Sequence, residues 1–342
     1  MNSAKPMVSL SVLDLAPVGP DSSPREAIAD SVTLAQRCDA LGYERYWVAE
    51  HHSMPSIATS APEVLVAHVA AVTRRIRVGT GGIMLPNHNP LRLVEIFRTL
   101  EALYPGRIDF GVGRAPGTDP VTASALLRGG VSDPNERLAE LLAFDRSTFP
   151  EQHPFHNIIP MPSDVRLPPI WMLGSTMAGA TIAASLGLRY AFAGHFAMRN
   201  ARSALMLYRE QFRPSNGLTA PRAMLAVTVI CGEDDAHAND LTIPLRLAVV
   251  RNRTGKRAPL PSIKEAKAYR FTADEERIAD EFLHGAIIGG TRRVRAGLEQ
   301  LVSETGADEL MLAAFVPDIT ERLQSYERVS LAVELDHSSD DT

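Results

Sequence analysis

Cysteine is nearly absent from this chain. Cys38 and Cys231 are the only two, far apart, one in a predicted helix and one at a predicted strand end. The fold therefore does not rest on a disulfide framework, and the pattern fits a reducing compartment. Neither cysteine has a base motif beside it, which leaves no candidate thiol nucleophile. No His-x3-His or Cys-x2-Cys spacing marks a metal site. No apolar run reaches the roughly 18 residues that a membrane span needs. Long basic runs are missing too, and the net charge is −5, so nucleic acid is not expected as the main partner. Met1 to Met7 is short and polar, without the apolar centre of a secretory signal, and the cytoplasm is the expected compartment. Internal repeats, low-complexity stretches and a clear linker are lacking as well.

What the chain does carry is a globular composition, 45% hydrophobic and 22% charged, enough to bury a sizeable core. Apolar runs and amphipathic stretches alternate along it. Strands are expected at 7–15, 46–49, 76–83, 107–112, 169–173, 190–193, 223–231 and 309–315. Helices are expected at 24–42, 61–74, 90–104, 135–149, 177–186, 198–212, 292–305 and 319–333. Runs such as Ile170 to Leu173 and Leu310 to Phe315 are apolar throughout, as parallel strands buried on both faces must be. Eight strand-then-helix units predict an α/β protein, a (β/α)8 barrel forming one domain over 1–342. The alternation breaks at 233–290, which is too long for one connection and is expected to be an insertion between strands seven and eight that acts as a lid. Its cluster of Arg251, Arg253, Lys256 and Arg257 reads as a solvated lid face rather than an anion site. The acidic tail from Asp336 to Thr342 is expected to fray.

A barrel brings the carboxyl ends of its strands to one rim, where side chains leave the core and meet ligand. The apolar run Tyr46 to Ala49 ends in Glu50-His51-His52. The third strand ends in Gly81-Gly82, the fourth in Gly113-Arg114, the fifth in Gly174-Ser175-Thr176 and the sixth in Gly194-His195. An arginine, three histidines, a carboxylate and a set of glycines suit a flat anionic cofactor. Gly174-Ser175-Thr176 opens a helix, whose free N–H groups and dipole favour a phosphate. Arg114 can hold the same phosphate by two hydrogen bonds. The plainer alternatives are a simple cap at 174–176 and an ion pair of Arg114 with Asp109 or Asp119. Gly81-Gly82 either closes a tight turn or lets a ring system approach bare backbone. His51 and His52, being adjacent, point to opposite sides, so at most one faces the mouth squarely and they do not share a metal. Gly111-x-Gly113 is not a dinucleotide fingerprint, because Pro116 takes the sixth position and Gly117 comes one late. Gly289-Gly290-Thr291 reads as a helix start, His153 and His156 as solvated loop residues, and His68 as a core or interface residue.

The runs Trp47-Val48-Ala49-Glu50-His51-His52, Arg77-Val78-Gly79-Thr80-Gly81-Gly82-Ile83-Met84-Leu85-Pro86 and Pro105-Gly106-Arg107-Ile108-Asp109-Phe110-Gly111-Val112-Gly113-Arg114 resemble the bacterial luciferase-like monooxygenases. The likeness continues through Leu173-Gly174-Ser175-Thr176, Leu186-Gly187-Leu188 and Phe192-Ala193-Gly194-His195-Phe196, in the family's order and over nearly the whole chain. The resemblance implies the same barrel and a flavin-dependent oxidoreductase. Its cofactor would be reduced FMN from a separate flavin reductase or, in one branch, a reduced deazaflavin. FMN members use oxygen to oxygenate a small organic substrate; some relatives bind flavin without catalysis. A homodimer packed through the helices after strands two and three is also implied, with Val64, Leu65 and Val69 as contacts.

Carried over by position, the resemblance places Arg114, Ser175 and Thr176, with Gly174 in their turn, around the flavin phosphate. Gly81 and Gly82 would lie beneath the isoalloxazine ring at a non-proline cis peptide. His51 would be a general acid or base titrating near the working pH. His52, in the catalytic set, and Glu50, in the cofactor-binding set, would support it, and His195 would stand on the rim by the substrate. The chain departs from the light-emitting members, which carry a cysteine where this chain has Gly113, and its 233–290 segment does not look like their long mobile loop. Light emission from a long-chain aldehyde is therefore not expected.

Overall fold

The computed structural model describes residues 8–127, 133–215 and 217–335. The expectations for Met1 to Met7 and for the tail from Asp336 fall outside these residues. The strands are β1 (Ser9–Asp14), β2 (Arg45–Val48), β3 (Arg77–Met84), β4 (Ile108–Gly113), β5 (Ile170–Gly174), β6 (Arg189–Ala193), β7 (Ala223–Cys231), a short β8 (Ile287–Gly289) and β9 (Glu309–Ala313). Neighbours from β1 to β7 pair in parallel in sequence order. The barrel closes because β9 lies between β7 and β1, with Leu225 opposite Leu310 and Leu10 opposite the same residue. This is the eight-stranded (β/α)8 barrel that the alternation predicts.

The helices are α1 (Pro24–Ala40), α2 (Pro62–Val72), α3 (Pro90–Leu103), α4 (Pro120–Leu126), α5 (Pro134–Arg146), α6 (Met177–Leu186), α7 (Gly194–Ala197), α8 (Ala201–Gln211), α9 (Asp235–Arg253), α10 (Ile263–Ala268), α11 (Ala273–Phe282), α12 (Thr291–Thr305) and α13 (Ile319–Val333). Local chemistry sets their ends. At α1 the Ser23 hydroxyl accepts from the Glu26 N–H at 3.2 Å while the Glu26 carboxylate accepts from the Ser23 N–H at 2.7 Å, a reciprocal cap worth about 1 kcal/mol. α6 stops at Gly187, whose φ of +62° a side chain would strain.

Two apolar layers result from the strand alternation. Outward residues such as Val48, Val78, Phe110 and Phe192 pack under the helices, and inward residues such as Leu13, Trp47, Trp171, Met224 and Met311 fill the barrel. At the amino-terminal end of the strands the filling is ionic. Arg45 reaches Asp109 and Glu309, both at 2.8 Å, and Arg77 reaches Asp109 at 2.7 Å. Burial raises the Asp109 carboxyl, but the two arginines outweigh it and hold it below its ordinary value. The barrel is thus plugged at one end and open at the other.

Gly81 and Gly82 lie near the carboxyl end of β3, at a register shift between Thr80 and Ile83, and the strand ends at Met84, one residue beyond the expected bound. The 233–290 segment holds α9, α10 and α11, and its end forms β8, which extends the sheet at Val229 to Cys231. Of the residues named for a dimer face, Val64 is exposed but Val69 is buried in the core, and His68 is solvent-exposed.

Candidate functional site

The carboxyl ends of the strands enclose a cavity of about 530 Å³, in the size range of cofactor sites. Its depth is apolar, with Leu13, Trp47, Met224 and Met311. Its polar lining comes from His51 after β2, Arg114 after β4, Ser175 and Thr176 after β5, and His195 in α7. Asn135 on α5 also faces it, a residue that strand-end reasoning had no means of finding. Gly81 lines the cavity and is joined to Gly82 by a cis peptide. A Cβ on Gly81 would stand 2.9 Å from Leu13 Cδ1, and one on Gly82 would stand 2.7 Å from the Gly111 oxygen. Gly81 therefore presents bare backbone to the cavity, while Gly82 serves the packing of β3 on β4.

Arg114 makes neither of the ion pairs open to it. Asp109 is taken by Arg45 and Arg77, and Asp119 by Arg257 at 2.8 Å. The Arg114 guanidinium lies against the first turn of α6, with Nη2 3.7 Å from where a Cβ on Gly179 would stand. Its Nε is buried and has no hydrogen-bond partner among the described residues. Thr176 caps α6 without a side-chain hydrogen bond, leaving its hydroxyl and that of Ser175 uncommitted; of the first-turn N–H groups, that of Gly179 turns back to the Thr176 oxygen at 3.2 Å, and those of Met177 and Ala178 stay open. Tyr190 closes this corner, its hydroxyl donating to the Thr176 oxygen at 3.3 Å. Burial raises the Tyr190 phenol, and the charge of Arg114 opposes the rise. An unpaired guanidinium beside an uncapped helix start is a place for a phosphate.

The histidines sort differently from the expectation. His51 faces the cavity, whereas His52 turns away to the Glu50 carboxylate at 2.7 Å and does not line it. Glu50 is buried behind the wall and fully engaged. It accepts from the Met84 N–H at 2.7 Å and from Asn87 Nδ2 at 3.0 Å, and pairs with His88 at 2.9 Å. Burial raises its carboxyl, but these partners, His88 foremost, bring it below its ordinary value. His88 is itself lowered by burial and raised more by Glu50, for a net rise. Glu50 and His52 are thus positioning residues for the rim rather than ligands facing the cavity. Asn87 and His88 were not singled out from the sequence; they lie just past the end of β3 and obey the same strand-end logic.

His51 and His195 share the cavity and carry buried Nδ1 atoms without partners among the described residues. Burial holds His51 down to about 4, with Glu50 opposing and His52 adding to the effect. Burial and then the charge of His51 hold His195 down to about 3. Neither imidazole titrates near neutral pH, contrary to the expectation for His51. Each is neutral there, with one nitrogen to donate and one to accept. Trp171 Nε1 is a further buried donor without a partner among the described residues, on a ring packed edge-on against Trp47, which lines the cavity. The partner-free donors and acceptors, the bare backbone at Gly81 and the anion corner together fit a planar heterocycle with a phosphorylated tail. No group of acidic, histidine or cysteine side chains fit for a metal exists among the described residues, and none of their helices is long and apolar enough to cross a membrane.

Known proteins share this fold and much of this sequence. Residues 8–309 match the family model described as luciferase-like monooxygenase. A luciferase-like monooxygenase of Escherichia coli strain K12 is 40% identical over 323 residues, covering 94% of this chain and 95% of that protein. The N-acetyl-S-alkylcysteine monooxygenase of Bacillus subtilis strain 168 is 32% identical over 335 residues, covering 96% of this chain and 98% of its own. Among solved structures, apo-MsnO8 superposes with a TM-score of 0.86 at 36% identity, over 96% of this chain and 98% of that one. Two remoter structures share the fold. One is the oxygenating constituent of 3,6-diketocamphane monooxygenase from Pseudomonas putida in complex with FMN, with a TM-score of 0.71, 19% identity, and coverage of 95% of this chain and 97% of that one. The other is an F420-dependent secondary alcohol dehydrogenase, with a TM-score of 0.66, 14% identity, and coverage of 96% and 99%. With the barrel, the cis Gly81-Gly82 strand and the Arg114 corner joined to a match across nearly the whole chain, this protein belongs to the luciferase-like monooxygenase family.

Proposed function

We propose that this protein is a flavin-dependent monooxygenase that takes reduced FMN from a separate reductase and oxygenates a small organic substrate with molecular oxygen. The observation that carries the reading is the unpaired Arg114 beside the open start of α6. Arg114, Ser175 and Thr176 hold the phosphate, with Gly174 shaping their turn, and the ring lies along Gly81. Bound and reduced, FMN supplies electrons to oxygen. The chain's own contribution is position and exclusion. Leu13, Trp47 and Met311 keep water from the depth of the cavity. His51, neutral at working pH, holds or accepts a proton at a nitrogen aimed into the cavity. His195 offers a second neutral imidazole beside it. The monooxygenase activity named for the Bacillus subtilis relative supports the same class.

A deazaflavin hydride-transfer enzyme is the second reading, since one remote neighbour uses F420. A longer anionic tail calls for more cations, and Arg114 is the only Arg or Lys among the described residues lining the cavity. Exposed Val64 and Val72 on α2, and Leu103 at the end of α3, support the homodimer. The test is fluorescence titration of wild type and Arg114→Ala with reduced FMN and with a reduced deazaflavin. FMN is expected to bind the wild type more tightly, and Arg114→Ala to weaken it about tenfold to a hundredfold, the loss of a charged hydrogen-bond pair. Equal FMN affinity in the two proteins would refute the phosphate assignment, and tighter deazaflavin binding would favour the second reading.

A further inference from the structure

A second chamber of about 300 Å³ lies between the rim and the insertion. It meets the cofactor cavity at three shared walls, Leu15, His51 and Phe196. The rest of its lining is mainly apolar, including Met54 and Ile57 from the loop after β2, Leu245 and Val249 from α9, Phe282 from α11 and Phe315 after β9. The polar walls that the cofactor cavity does not share are Ser56, Asn252 and Arg253. Asn252 and Arg253 sit in the last turn of α9.

The arginine cluster of the insertion explains which of them matters. Arg251 is engaged by Glu265 at 2.6 Å, and Arg257 crosses the mouth to Asp119 at 2.8 Å. Arg253 has no hydrogen bond or ion pair among the described residues, and it is the one of the three that lines the chamber. An uncommitted guanidinium on an apolar chamber selects for opposite charge on an apolar body. We propose that this chamber takes an aliphatic carboxylate, its apolar body between α9, α11 and the rim and its carboxylate on Arg253 and Asn252, so that its other end reaches the wall shared with the cofactor cavity at His51. As the identity of the substrate class, this rests on the flavin-monooxygenase reading; as a binding site, it stands apart from it.

The test is calorimetric titration of the full chain without flavin, using straight-chain alkanoic acids of increasing length and their methyl esters. Each added methylene is expected to tighten binding about threefold to fourfold until the chamber is full. The acid is expected to bind at least about tenfold more tightly than its ester, as one charged hydrogen bond provides. Arg253→Ala removes that discrimination, Arg253→Lys keeps part of it, and Ala248→Phe, which fills the chamber, weakens the long-chain probes most. Thermal melts establish that each variant is folded. Equal binding of acid and ester, discrimination that survives Arg253→Ala, or no saturable heat in the wild type overturns the proposal. No turnover is read, so a failed FMN titration with Arg114→Ala leaves this result standing, and failure here leaves the cofactor reading intact.

Discussion

Acidifying the flavin-free protein from pH 6.5 to pH 5 is expected to cost it stability chiefly through two histidines. In the unfolded chain each imidazole titrates at about 6.5. In the folded protein His51 is held near 4 and His195 near 3, both mainly by burial. Because the folded values lie below the unfolded ones, the unfolded chain binds more protons as pH falls. Stability is therefore full above about pH 6.5 and is lost progressively toward pH 4 and below. Integrated between pH 6.5 and 5, the linkage amounts to about 1.6 kcal/mol per histidine, or about 3 kcal/mol for the pair. The assay is urea denaturation at both pH values for wild type and for the double variant His51→Gln, His195→Gln. His88 acts with the opposite sign, since Glu50 raises it against burial, but it is present in both proteins and cancels in the difference. The wild type is expected to lose about 3 kcal/mol more than the variant over this interval. If both lose the same amount, the two imidazoles are not held neutral in the fold, and their description as partner-free groups facing the cofactor cavity fails.

Two further predictions concern the supports around the site. Glu50→Gln removes a buried carboxylate that gathers Met84, Asn87, His88 and His52, and should destabilise the fold by about 3 kcal/mol in thermal or urea unfolding; a change under about 1 kcal/mol would show that the rim holds without it. Arg45→Met strips Asp109 and Glu309 of their shared buried cation and should cost about 3–5 kcal/mol. Retained stability in that variant would mean that the floor of the barrel does not depend on its charges.

The sequence by itself determined the barrel and which strand ends bring polar residues to its rim. Burial on both faces forces parallel strands into apolar runs such as Leu310 to Phe315, and amphipathic stretches such as Arg292 to Thr305 read as the helices that cover them. Arg114, His51 and the 174–176 turn were legible because ionisable and glycine-rich residues at strand ends have no place in a core. Only the tertiary structure decided which of these residues face the cavity. Glu50 and His52 lie one position to either side of His51, yet both turn to each other while His51 faces inward. That choice depends on Asn87, His88 and Met84, which are brought to Glu50 from more than thirty residues away by the pairing of β2 with β3. The charge state of His51 and His195 was likewise unreadable, because desolvation depends on what packs around a side chain and not on its neighbours in the chain. The same holds for Arg253. Four basic residues within seven positions look alike in sequence, and the carboxylates that claim Arg251 and Arg257 come from α10 and the loop before α4, the first through the packing of α10 on α9 and the second across the mouth of the barrel.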